Sequence, residues 1–260
     1  NTIFGKNAGL SLDAGSNYNV FIGALVSDAA MNDAIENVGV GYAALSGLTT
    51  GDSNIAIGYS AGYALTTTSG CVLIGDRAGE TINHADATGS VAIGSKALGA
   101  ITSGQGNTAI GYEALDAEDD GDRNTAVGYQ ALTAQTGTSG TVGNTAVGWS
   151  AGAGLTSATH FTAVGHNAGG GATLTGTGNT LLGSSAGTSL VAGANNTAVG
   201  MYTLLNATSD ANNVAIGKSA LQEAVGGSNN TVIGALAGDA VTSASGSVFI
   251  GAPAGSTVTT

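Results

Sequence analysis

Three stretches of this chain have the Gly-x-Ser-x-Gly spacing of a hydrolase nucleophile elbow: Gly58 to Gly62 around Ser60, Gly148 to Gly152 around Ser150, and Gly183 to Gly187 around Ser185. In that chemistry the serine stands on a strand-to-helix turn and is activated by His and Asp partners. Elsewhere in the chain the same slot holds Asn7, Arg77, Lys96, Glu113, Gln130, Asn167, Leu236 and Pro253. A tolerant outward-facing position therefore accounts for the match. Gly217, Lys218 and Ser219 end like a phosphate-binding loop, but Asn212 occupies the place of its first glycine and no helical periodicity follows. His84, His160 and His166 lack metal-ligand spacing. The acidic loop Asp116, Glu118, Asp119, Asp120 and Asp122 offers oxygens to Ca²⁺, yet follows neither the EF-hand order nor the calcium-binding nonapeptide. Tyr42, Tyr59, Tyr112, Tyr129 and Trp149 form a row that could stack on sugar rings; a structural ladder of neighbours is the simpler reading. No catalytic, cofactor-binding or metal-ligating residue is expected.

What positions all these residues is a nine-residue phrase: Asn, β-branched, small or apolar, aliphatic, Gly, any, any, Ala, then Gly or Leu. It recurs fifteen times, with central glycines from Gly5 to Gly251 spaced 17 to 20 residues apart. Self-similarity at so short a fixed period signals a solenoid. The expected fold is all-β, a parallel β-solenoid of about 15 coils of 17–20 residues. Residues 1–255 form the repeat domain, and 256–260 begin the next coil or a linker. With strands stacked ~4.8 Å apart, such a rod runs on the order of 70 Å.

Three residues before each central glycine stands a β-branched side chain, and one before it a large apolar one, as in Ile55 and Ile57. Two positions apart on a strand share a face. Their size assigns this pair to the coil interior. The residue between them is usually alanine, as at Ala56, Ala92 and Ala109, with Phe21, Leu73, Leu181, Val232 and Phe249 interspersed. It then faces outward, where a column of alanines suits close approach of a second copy. Asn opens eleven of the fifteen phrases, and stacked Asn side chains can bond from rung to rung. Threonine holds the first strand position in six successive coils, Thr108 to Thr197. Flat threonine arrays serve ice-binding solenoids, but an inward-pointing partner argues against that use here.

Composition removes several function classes. Five basic residues against seventeen acidic ones, a net charge of −12, cannot supply the clustered cations of nucleic-acid binding. No apolar run reaches the ~18 residues of a membrane span, so no membrane insertion is expected in this segment. One proline and no Gly-X-Y period exclude collagen. A single cysteine, Cys71, excludes an intrachain disulfide framework. The chain opens inside a repeat, as a window cut from a longer polypeptide does.

The phrases from Asn107 to Gly111, Asn124 to Gly128 and Ser90 to Gly94 resemble the head repeats of trimeric autotransporter adhesins (the YadA-like heads) and, at least as closely, the repeats of bacteriophage tail fibres. The resemblance covers almost the whole chain. It implies a left-handed β-roll, three chains side by side, and an extracellular role in attachment on a virion tail or bacterial surface. The implied partners are the chain itself, as a homotrimer in a longer fibre, and a host-cell surface or glycan receptor. Adhesin heads have shorter, more uniform coils, which favours the fibre branch. The alternative is a monomeric solenoid that binds ice or Ca²⁺. A polysaccharide-cleaving β-helix enzyme would need a carboxylate cluster on one face, whereas Asp and Glu here keep mostly to variable loops.

Overall fold

The computed structural model describes residues 1–136, 140–171 and 173–256. All regular elements among them are strands, and the fold is an all-β parallel β-solenoid. The chain divides into two compact units, Asn1–Tyr129 with Thr136–Thr141, and Gln130–Gln135 with Val142–Thr260. In the first, the three-residue strands from Thr2–Phe4 to Thr125–Val127 stack in chain order, all parallel. Equivalent positions lie in register: Val38 beside Ile55, Gly39 beside Ala56, Val40 beside Ile57. A short extra pair, Gly121–Asp122 with Gly140–Thr141, adds a rung beside the longest spacing of the repeat. In the second unit the strands from Thr145–Val147 to Val248–Ile250 stack in the same way, Thr162 beside Thr180 and Val164 beside Leu182.

The central glycines form a column within each unit. Their φ values lie between 113° and 142°, a region closed to side chains. Space forbids a side chain as well: a Cβ on Gly58 would come within 2.3 Å of the Gly75 carbonyl oxygen, and one on Gly165 within 2.7 Å of the Gly183 carbonyl carbon. Four residues further on, the backbone is again left-handed, as at Leu45 (φ 52°), Leu115 (φ 53°) and Gly62 (φ 59°). Leucine holds this strained bend because its side chain is wholly buried. The phrase's choice of Gly or Leu thus marks a bend and a core contact at once.

The two strand faces are the reverse of the sequence expectation. The middle residue points inward: Ala56, Leu73, Ala92, Ala109, Ala126, Ala146, Leu181 and Val232 are all 0% exposed. The flanking β-branched and aliphatic residues point outward, half-buried or exposed in every coil. Period two tells which residues share a face and leaves open which face is inside. The coil is thin, so its interior takes alanine, and size was the wrong guide. Volume compensation confirms the inner face. A bulky middle residue goes with Gly or Ser at the left-handed bend of its own coil: Phe21 with Ser27, Leu73 with Gly79, Leu181 with Gly187, Val232 with Gly238, Phe249 with Gly255. Leucine at the bend goes with a small middle residue, as Leu115 does with Ala109. A Cβ on Gly79 would lie 2.7 Å from Leu73 Cδ2.

A buried polar ladder runs beside this core. Asn37, Asn54, Asn107, Asn144, Asn179 and Asn213 are fully buried. The Asn37 side chain donates to the Gly51 carbonyl at 2.9 Å, and its Oδ1 accepts the Asn54 backbone N–H at 2.9 Å. Asn54 repeats this with Thr68 at 2.8 Å and the Cys71 N–H at 3.0 Å. Asn196, Asn213 and Asn230 continue it. Each amide satisfies backbone groups that the coil corner would otherwise bury unpaired, at about 1–3 kcal/mol apiece. Cys71 takes an Asn slot as a buried side chain, its thiol 3.5 Å from the Ala87 carbonyl, and burial pushes its pKa up, away from thiolate chemistry.

Two polar side chains enter the aliphatic core near the ladder. Seven residues after the central glycine stand Leu48, Leu65, Ile82, Ile101 and Leu155, but also Glu118 and Gln135, all 0% exposed. Glu118 accepts N–H bonds from Gly121 at 2.8 Å and Asp119 at 3.1 Å. Gln135 Oε1 accepts from the Asn144 side chain at 3.1 Å. Burial raises the Glu118 pKa, and the two N–H donors offset part of that. A carboxyl whose folded pKa is raised stabilises most below its unfolded value, and that contribution fades as pH climbs through the folded one. Glu118→Gln keeps an acceptor for the N–H groups and abolishes the titration. The amide group also replaces the oxygen that accepts from the Asn124 side chain, a cost independent of pH, so the expected signature is a melting point that rises relative to the parent as pH climbs from the ordinary glutamate value of 4.5 to 7. Calorimetry at several pH values checks this; a difference from the parent that is independent of pH contradicts it.

Candidate interaction face

The outward strand face carries two columns. One holds Val20, Val38, Ile55, Val72, Val91 and then mostly threonine; the other holds Ile22, Val40, Ile57, Ile74, Ile93, Ile110 and their equivalents to Ile250. Ile57, Ile93, Ile110, Val147, Ile216 and Ile233 are 36–38% exposed, and Leu182 45%. Parallel sheets are ordinarily covered on both faces. Monomeric soluble proteins seldom leave contiguous apolar surface of more than a few hundred Å² open. In each unit this ladder continues through every coil, and the single chain leaves it uncovered.

Directly after the glycine column runs the aromatic row. Tyr42 stacks on Tyr59 with centroids 5.3 Å apart, Tyr112 on Tyr129 at 5.2 Å, and Trp149 on His166 at 4.8 Å. The Arg77 guanidinium lies 5.9 Å from the Tyr59 ring centre. These aromatics form ladders among themselves, as the simpler reading of the row had it.

The other residues singled out from the sequence are dispersed. Ser60 and Ser150 are buried on a left-handed backbone (φ 51° and 49°), and Ser185 shares that conformation at φ 55°. The slot is therefore not simply outward-facing as expected: short side chains tuck into the bend, and long ones such as Arg77 extend from it. Ser219 is likewise buried, and Gly217 continues the glycine column rather than opening a helix. His84 pairs with Asp86 at 3.2 Å and His160 contacts Thr159. In the acidic loop Glu118 turns inward, Asp119 accepts from the Thr102 hydroxyl, and Asp122 accepts the Gln105 N–H at 2.9 Å. No three His, Cys, Asp or Glu side chains converge among the described residues. No helix among them is long and apolar enough to cross a membrane.

What the sequence reading did not single out is a cavity of about 390 Å³ in the first unit. It is lined by Leu25, Ala43 and Ser60, by Tyr42 and Tyr59 of the aromatic row, and by Asp28, Ser46, Tyr63 and Glu80. Asp28, Ser46, Tyr63 and Glu80 all stand five residues after a central glycine, within the variable stretch where no phrase constrains residue type.

No family model, curated protein or solved structure matches this chain. The fold defines its class: a parallel β-solenoid, here with an apolar outer strand face that the single chain leaves half exposed.

Proposed function

We propose that this chain is a segment of a homotrimeric structural and adhesive fibre, extracellular, on a virion tail or a bacterial surface. The observation that carries the reading is the outward ladder of Ile, Val and Thr, uncovered in the single chain. Only a surface with the same rung spacing can match such a ladder coil for coil, and a parallel copy of this chain supplies it. Three rather than two copies follows the resemblance to tail-fibre and autotransporter-head repeats. The proposal reassigns the contact: the aliphatic columns meet other chains, not the alanines. Attachment to a host surface or glycan is the role such a fibre serves, and no catalysis is assigned to it. Light scattering of the purified chain is expected to give three times its 24.7 kDa mass. A stable folded monomer at micromolar concentration contradicts the assembly.

One observation favours a second reading. Thr108, Thr125 and Thr145, like Thr162, Thr180 and Thr197, now face outward beside a valine, isoleucine or leucine. The objection to an ice-binding face, that the aliphatic partner points inward, no longer holds. Thermal hysteresis of a monomeric preparation would establish that reading; ordinary freezing of the same preparation retires it.

A further inference from the structure

We infer that the cavity between Tyr42, Tyr59 and Tyr63 is a carbohydrate site that takes one or two uncharged pyranose units. Its volume, about 390 Å³, lies within the ~300–1,000 Å³ of small-molecule sites. Tyr63 is the informative residue. The positions equivalent to it in neighbouring coils are Asp28, Ser46 and Glu80, and although the column elsewhere runs from Gly99 and Ala153 to Leu205, Tyr63 is its one aromatic residue. Tyr42 and Tyr59 stack on each other, whereas no ring stacks on Tyr63 among the described residues; all three are about half exposed and line the cavity. An aromatic ring with no stacking partner, lining a cavity with acceptors, suits a ligand ring with an apolar C–H side and a rim of hydroxyls.

The acceptors sit at both ends. Asp28 and Glu80 border the cavity three coils apart, about 14 Å at the spacing of stacked strands. They are too distant to share one cation, but well placed to accept hydroxyls from opposite ends of a short saccharide. Ser46, which already donates to Asp28, fixes that carboxylate and keeps lone pairs of its own for a further hydroxyl. Arg77 offsets one of the two carboxylates, pairing with Glu80 at 3.8 Å, and Asp28 leaves the trough with a net negative charge that disfavours acidic sugars, so the ligand class is neutral hexoses and N-acetylhexosamines. This deepens the adhesive reading, on which its biological sense rests, by giving the fibre a place to hold a surface glycan.

The test is saturation-transfer NMR of the full chain with methyl glycosides of glucose, galactose and mannose, with N-acetylglucosamine, and with trilysine as a cationic competitor for the same carboxylates. At least one neutral sugar is expected to show transfer. Tyr63→Ala is expected to weaken it at least tenfold, as is Asp28→Asn with Glu80→Gln, while Tyr112→Ala, on another aromatic pair, leaves it unchanged. Circular dichroism of each variant separates loss of binding from loss of fold. No transfer from any of the sugars, transfer insensitive to Tyr63→Ala in a folded variant, or trilysine binding alone overturns the site. The mass measured on the same sample keeps the two proposals apart. An intact trimer without sugar binding removes only the cavity; sugar binding by a stable monomer removes only the assembly.

Discussion

Lysine at both Ile93 and Ile110 is expected to turn the assembled protein into single chains that keep their strands. Both side chains point outward, 36% and 37% exposed in the isolated chain, so the substitution leaves the coil interior untouched. In the assembly it forces two ammonium groups per chain against apolar neighbours, and burying one such charge unpaired costs several kcal/mol. The readouts are a fall in light-scattering mass to one chain and an unchanged strand signal in circular dichroism. Ala109→Lys, one residue away and 0% exposed, is expected to do the opposite and prevent folding of its coil. If the inner and outer columns were exchanged, the two outcomes would be exchanged with them.

The second large effect belongs to the glycine column. Gly111→Ala places a Cβ 2.3 Å from the Gly128 carbonyl oxygen on a backbone with φ 140°. Neither the strand register nor the next coil can yield without breaking inter-coil hydrogen bonds, such as Gly111 N–H to the Ile93 carbonyl at 2.8 Å. A loss of more than about 3 kcal/mol is expected, combining backbone strain with the clash. Gly89→Ala is the control. Its φ is 70°, but nothing lies within 4 Å of the added carbon, so a cost of about 1 kcal/mol is expected. Urea unfolding distinguishes them. Equal losses at the two positions would falsify the column as a packing constraint. Because solenoids unfold locally, the transition of Gly111→Ala is also expected to broaden.

Much of this architecture is legible in the residues. The spacing from Gly5 to Gly251 gives the number of coils, the invariant glycine gives the turn, and Asn37 or Asn54 at the head of a phrase gives the polar ladder. Side-chain alternation also puts Ile55 and Ile57 on one face. It cannot give the sign of that face, because the pleat is symmetric and burial depends on how wide the coil is. The signal that settles it is present but lies across positions: Phe21 with Ser27, Leu73 with Gly79 and Leu115 with Ala109 trade volume, as residues sharing one narrow core must. Glu118 reads as a loop residue, and Gln135 draws no notice, because their column, seven after the glycine, lies beyond the recurring phrase. Tyr63 was illegible for the same reason: its meaning depends on Asp28, Ser46, Tyr42 and Glu80, which only the stacking of coils brings beside it.

The claim that the outer columns meet other chains is tested most directly by cysteines placed along one strand in a Cys71→Ala background. Thr108→Cys and Ile110→Cys lie on the outward face, and Ala109→Cys lies inside the coil. On mild oxidation, chains carrying cysteine at 108 or 110 are expected to appear as disulfide-linked species on a non-reducing gel, and those with cysteine at 109 are not. Single chains from both outward variants, with the protein folded and concentrated, would contradict the account.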